Sequence, residues 1–155
     1  MTCEATHKRF IPPEGSSPTF CVLTTFSAPG ASEVETLSEQ LELLIQDNER
    51  WIQSMLRQGI EPPCCSKCGG VKYREPSEAD YQAGAILFKA APDMFRDGVG
   101  ACGSIAAYDA AALRQLEGVD AWGHIEDSGH GPSSYHAVVG TPAGVHDPTL
   151  EMERG

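Results

Sequence analysis

Apolar positions set out the first half of the chain. Val34, Leu37, Leu41, Leu44, Ile45, Trp51, Ile52, Met55 and Leu56 recur at helical spacing, which predicts one long amphipathic helix facing a core or, alternatively, a partner helix. Ser32 and Glu35 read as a capping box at its start. Gly59 and the pair Pro62-Pro63 stop it. An alanine-rich stretch after Pro76-Ser77, carrying Ile86, Leu87 and Phe88, predicts a second helix to about Ala91, with Pro92 as its stop. Asp93–Gly100 reads as a glycine-containing loop. A third helix is expected from about Ala101 to Leu116, ending at Gly118.

Period-two and β-branched runs follow. They predict strands near Val119–Glu126, Tyr135–Val139 and Val145–Asp147, with weaker strand signals at Phe20–Phe26 and Val71–Tyr73. Helices first and an antiparallel sheet last predict an α+β fold, with helices on one face of a small sheet. Residues 1–31, rich in Pro, Ser, Thr and Gly, read as an irregular arm. Residues 32–155 then form a single domain, with no internal repeat and no low-complexity segment.

Charge narrows the function. Eleven basic against 22 acidic residues give a formal net charge of −11. A nucleic acid partner is disfavoured, because phosphate neutralisation requires basic residues. An anionic membrane surface is disfavoured for the same reason. The N-terminus carries no apolar signal-peptide core, and no stretch is long enough to span a bilayer. A cytoplasmic setting is expected, and a disulfide framework is disfavoured there.

The candidate chemistry lies in the last third. Cys102 follows the glycine-rich run Gly98-Val99-Gly100-Ala101, at the start of the third predicted helix. Free N–H groups and the dipole of a helix start favour a thiolate. The same N–H groups suit a developing oxyanion. His136 sits on a predicted strand, and Asp147 lies eleven residues on, before Pro148-Thr149. A hairpin pairing Val139 with Gly144 sets His136 opposite Asp147 on one face, with Cβ atoms about 5 Å apart. Cys102, His136 and Asp147 then read as nucleophile, base and orienter. Singly, each has an ordinary structural reading: a small core cysteine, a strand histidine, a turn aspartate.

In these residues the chain resembles the transglutaminase-like branch of the papain-like cysteine enzymes. The matching runs are Cys102 at a helix start, His136-Ala137-Val138-Val139, and Asp147-Pro148-Thr149. More narrowly, the chain is similar to short transglutaminase-like proteins of bacteriophages and prophages. Asn48–Gln53, Gly70–Glu75 and Gly98–Arg114 carry that likeness, which spans roughly residues 35–150. It implies a papain/transglutaminase-like fold and a Cys-His-Asp thiol enzyme acting on amide bonds, as a peptidase, amidase or protein cross-linker. The alternative is a virion structural or assembly protein that uses the fold without catalysis. It implies a protein substrate or phage structural partners, a cytoplasmic or virion-associated location in an infected bacterium, and no required cofactor. Ala101, Gly103 and Ser104 stand where such relatives carry acidic residues, and Val138 where the wider family often has an aromatic. The triad is complete despite these differences, but the substrate class is left open.

A second constellation is Cys64-Cys65-Ser66-Lys67-Cys68-Gly69-Gly70. Its Cys65-x-x-Cys68 pair is half of a zinc ribbon. Cys64, Cys3, His7 and Cys21 are the candidates to complete a structural zinc site; surface thiols or an adventitious disulfide are the other readings. His124, His130 and His136 recur every six residues, but intervening glycines and Pro132 keep them off any common element. Gly98, Gly100 and Gly103 lack the Lys-Ser/Thr of a phosphate loop.

Overall fold

The computed structural model describes residues 9–13, 21–25, 31–74, 85–127 and 135–154. Their elements are β1 (Cys21–Thr25), α1 (Ala31–Arg57), β2 (Lys72–Tyr73), β3 (Ala85–Lys89), α2 (Ala91–Asp97), β4 (Val99–Gly100), α3 (Cys102–Glu117), β5 (Trp122–Asp127), β6 (Tyr135–Thr141) and β7 (Gly144–His146). A short 3-10 turn, Pro148–Glu151, closes the described chain. The class is α+β.

The long helix forms as its stripe predicts. Leu37, Leu41, Leu44, Ile45, Ile52 and Met55 are buried, whereas Leu56 points to solvent. The helix begins at Ala31, one residue ahead of Ser32, so Ser32 lies inside the first turn and not before it. Arg114 of α3 clamps α1 to α3: its guanidinium donates to Glu42 and Glu49, and its Nε donates to the Ala121 carbonyl. The Arg114 side chain is one-fifth exposed, so this network is sheltered from water.

Among the described residues the strands make three small sheets, not one. β5-β6-β7 is antiparallel, β1 pairs β3 antiparallel, and β2 pairs β4 in parallel. α1 packs on β5 and α3 packs on β6. Ala137 and Val139 are fully buried on that face. A Cβ on Gly123 would strike Leu41, so this close approach of β5 to α1 requires glycine.

Two predicted elements are corrected. Ile86, Leu87 and Phe88 lie in β3, paired with β1, and not in a helix. Long-range pairing outweighs the local alanine-rich signal here. Residues 75–84, where that second helix was expected to start, lie outside the described residues. Pro92 does not stop a helix but starts one: it occupies the first turn of α2, where its missing N–H costs nothing. The expected loop at Asp93–Gly100 is therefore mostly α2 and β4. Asn48 of α1 caps α2 from outside, its Oδ1 accepting from the Ala91 N–H at 3.0 Å.

Part of the expected arm enters the core. Phe10 packs edge-on against Trp51 and Phe95, and its N–H donates to the Gly69 carbonyl. The Arg9 guanidinium donates to the Phe95 and Arg96 carbonyls at the end of α2, as basic residues do at helix C-termini.

Candidate active site and cysteine knuckle

Cys102 is the first residue of α3. Gly98 takes the left-handed conformation (φ 73°) that ends α2, and two residues of β4 then turn the chain into the new helix. The N-cap, Ala101, offers no side-chain cap, and the first turn carries no acidic residue. The orphan N–H groups of that turn therefore have no carboxylate of their own turn competing for them. Ser104 anchors the turn, its Oγ accepting from the Lys89 N–H of β3 at 2.8 Å. Gly103 packs directly on the Phe88 ring, and any Cβ there would overlap it. Both contacts fix the Cys102 backbone against β3.

His136 reaches Cys102 and Asp147 together. Its Nε2 lies 2.7 Å from Asp147 Oδ2, and its side chain hydrogen-bonds that of Cys102. The triad is sheltered: Cys102 is 8% exposed, and the His136 and Asp147 side chains are 24% and 19% exposed.

The expected hairpin register is corrected. The strands pair Val139 with His146 and Thr141 with Gly144, around the two-residue turn Pro142-Ala143. Thr141 Oγ1 accepts from the Ala143 N–H and donates to the Gly144 carbonyl, which tightens the turn. The partner of each β6 residue thus shifts by two, which preserves facing because the side-chain period is two. Asp147 is then a diagonal neighbour of His136, just past the end of β7.

Asp147 is itself held. Its Oδ1 accepts from Thr149 N–H at 3.0 Å and Thr149 Oγ1 at 2.8 Å. Burial works to raise the Asp147 carboxyl, but the bonds from Thr149 and His136 outweigh it and hold it below the usual range. The hydrogen bond with Cys102 is the largest influence on His136; burial opposes it and Asp147 adds to it, raising the imidazole to about 9. A carboxylate, an imidazole that retains its proton and a thiol at a helix start form a continuous proton path.

Thr149, Ser104 and Asp109 carry roles that residue type alone does not announce. Asp147-Pro148-Thr149 does contain a local signal, since aspartate commonly accepts from the backbone two residues on. Asp109 has none: it lies in an alanine-rich helix, and its partner is 43 residues away.

The knuckle docks on the same helix. Asp109 Oδ1 accepts from the Ser66 N–H at 2.7 Å and from Ser66 Oγ at 2.8 Å. Next to it, Tyr108 donates its hydroxyl to the Pro63 carbonyl at 2.6 Å. Burial pushes the Asp109 carboxyl up to about 6 against the pull of the Ser66 bonds. Burial, then the Asp109 charge, pushes the Cys65 thiol up to about 12. The Sγ atoms of Cys64, Cys65 and Cys68 lie within 4.8 Å of one another, the one group of three or more metal-ligating side chains among the described residues. Cys65 and Cys68 carry thiols, and Cys64 is disulfide-bonded, one of the readings the knuckle left open. A sulfur in a disulfide is no thiolate donor, so the three-sulfur cluster is a metal site only with Cys64 reduced. Cys3 and His7 lie outside the described residues, as does His130. His124 pairs with Glu126 at 3.9 Å, apart from the triad. No helix of the described residues is long and apolar enough to cross a membrane.

No family model, curated protein or solved structure matches this chain.

Proposed function

We propose that the protein is a thiol enzyme of papain/transglutaminase-like type that acts on amide bonds of a protein substrate. The observation that carries the reading is the unbroken contact from Asp147 through His136 to Cys102 at the start of α3. In the proposed reaction the Cys102 proton first passes to His136, and Cys102 Sγ then attacks the amide carbonyl beside the protonated imidazole. First-turn N–H groups of α3 receive the oxyanion. Collapse of the tetrahedral intermediate breaks the C–N bond, and His136 returns the proton to the leaving amine. The resulting thioester is released by water, giving hydrolysis, or by a lysine amine, giving a cross-link. Asp147 holds the ring tautomer throughout, and Thr149 holds Asp147. The chemistry needs no cofactor, and a structural zinc ion at Cys64, Cys65 and Cys68 would serve the loop rather than the reaction.

The test is acyl-enzyme trapping. The native chain is mixed with an activated glutaminyl ester and quenched in acid, and its intact mass is read. The expected result is one acyl mass on Cys102, absent in Cys102→Ala and strongly reduced in His136→Ala. Acylation spread over several cysteines and unaffected by His136→Ala would refute the enzyme. It would favour a structural role for the same fold, in a phage particle.

A further inference from the structure

The knuckle carries an inference independent of the thiol-enzyme reading. We propose that Cys64, Cys65 and Cys68 form a reduction-gated, all-thiolate site for a soft d10 cation, zinc(II) or copper(I) in class, closed while Cys64 is disulfide-bonded.

Sulfur spacing comes first. Zinc–thiolate bonds of about 2.3 Å set tetrahedral sulfurs about 3.8 Å apart. Cys65 and Cys68 Sγ lie 3.2 Å apart, and no pair in the group exceeds 4.8 Å. Closing on a cation needs shifts of about an ångström or less. One backbone donor already faces the cluster. The Cys68 N–H points at Cys65 Sγ at 3.4 Å. Gly69 N–H donates back to the Cys65 and Ser66 carbonyls, and Gly70 N–H to the Lys67 carbonyl, which curls the loop around the sulfurs. The loop is also held from below, through Ser66 on Asp109 and Pro63 on Tyr108. A ligand loop fixed on a buried helix loses little freedom on binding. The donor set selects the metal: three sulfurs suit zinc and copper(I), whereas magnesium and calcium require oxygen ligands.

Gating follows from Cys64. A dithiol or phosphine reductant supplies two electrons, the S–S bond breaks, and two thiols form, one of them Cys64. A dithiol leaves as its disulfide; a phosphine leaves as its oxide, with water supplying the oxygen and the two thiol protons. Cys64 can then join Cys65 and Cys68 around the cation. The remaining position is open to water.

Cadmium titration of the full chain tests this. A Cys102→Ser background removes the only other described thiol. The protein is prepared either as isolated or reduced with a phosphine and desalted without air, and sulfur-to-cadmium charge-transfer absorption is followed against a competing chelator. The reduced chain is expected to bind one cadmium with a three-thiolate band, and the oxidised chain roughly tenfold or more weakly. Cys64→Ser is expected to lose a third of the band and all dependence on reductant. Far-UV circular dichroism reports whether each variant is folded, and native mass spectrometry of the reduced parent gives the stoichiometry without any knuckle substitution. A folded reduced chain that binds no cadmium overturns the site. Equal binding before and after reduction, or a full-strength band in Cys64→Ser, overturns the gate.

Discussion

At the scale of single residues, the site is a chain of groups that each fix the next. Thr149 turns Asp147, Asp147 turns His136, and His136 meets Cys102. The shift of His136 to about 9 has a stability consequence with a definite sign. An imidazole raised in the folded state stabilises the fold fully below its ordinary value near 6.5. That contribution fades as pH rises through 9. Asp147→Asn removes the charge but keeps the shape. It is expected to lower the His136 pKa and flatten the fall in stability between pH 6.5 and 9; on the proposed thiol-enzyme reading it also cuts turnover by roughly three to four orders of magnitude. Titration of the His136 ring by NMR, with urea midpoints across pH, checks both effects. The three triad residues were legible in the sequence because each sits in a distinctive local run. The residues that position them were less so. Ser104 acts on the Lys89 N–H and Asp109 on Ser66, partners distant in sequence that no local pattern names.

At the scale of elements, α3 is the common support. Its first residue is the candidate nucleophile, and Tyr108 and Asp109 hold the cysteine knuckle. Asp109 is an unusual acid. Its carboxyl is raised to about 6 by burial, so it binds its proton more tightly folded than unfolded. It therefore favours the fold most at low pH, and that contribution declines as pH rises from about 4 to 6. Asp109→Asn retains an oxygen acceptor for both Ser66 donors and removes the buried charge. It is expected to match or exceed wild-type stability at pH 7 and to lose the decline between pH 4 and 6. Asp109→Ala, which strands the Ser66 donors, is expected to cost about 1–3 kcal/mol. Urea unfolding at pH 4, 5, 6 and 7 separates these outcomes. Two elements depart from their local sequence signal, each for its own physical reason. Alanine-rich sequence favours a helix locally, but Ile86–Phe88 gain more by pairing with β1. Pro92 was ambiguous because proline ends one helix and begins another by the same geometry.

At the scale of the whole molecule, packing of α3 on β6 brings together residues from three separate parts of the chain. Arg114, bound to Glu42 and Glu49, keeps α1 and α3 in register beneath that sheet. The order of helices followed by an antiparallel sheet was readable from periodicity. Division into three small sheets was not, because β2 and β4 are two residues each and depend on contacts rather than pattern. The central claim is that the folded molecule, and not the cysteine alone, makes Cys102 reactive. It is tested most directly by the rate of alkylation at Cys102 by iodoacetamide at pH 7, mapped by mass spectrometry. Native chain, urea-unfolded chain and native His136→Ala are compared. The account predicts alkylation at least about tenfold faster in the native chain than in either of the others. A native rate no faster than the unfolded one, and unchanged by His136→Ala, would contradict it.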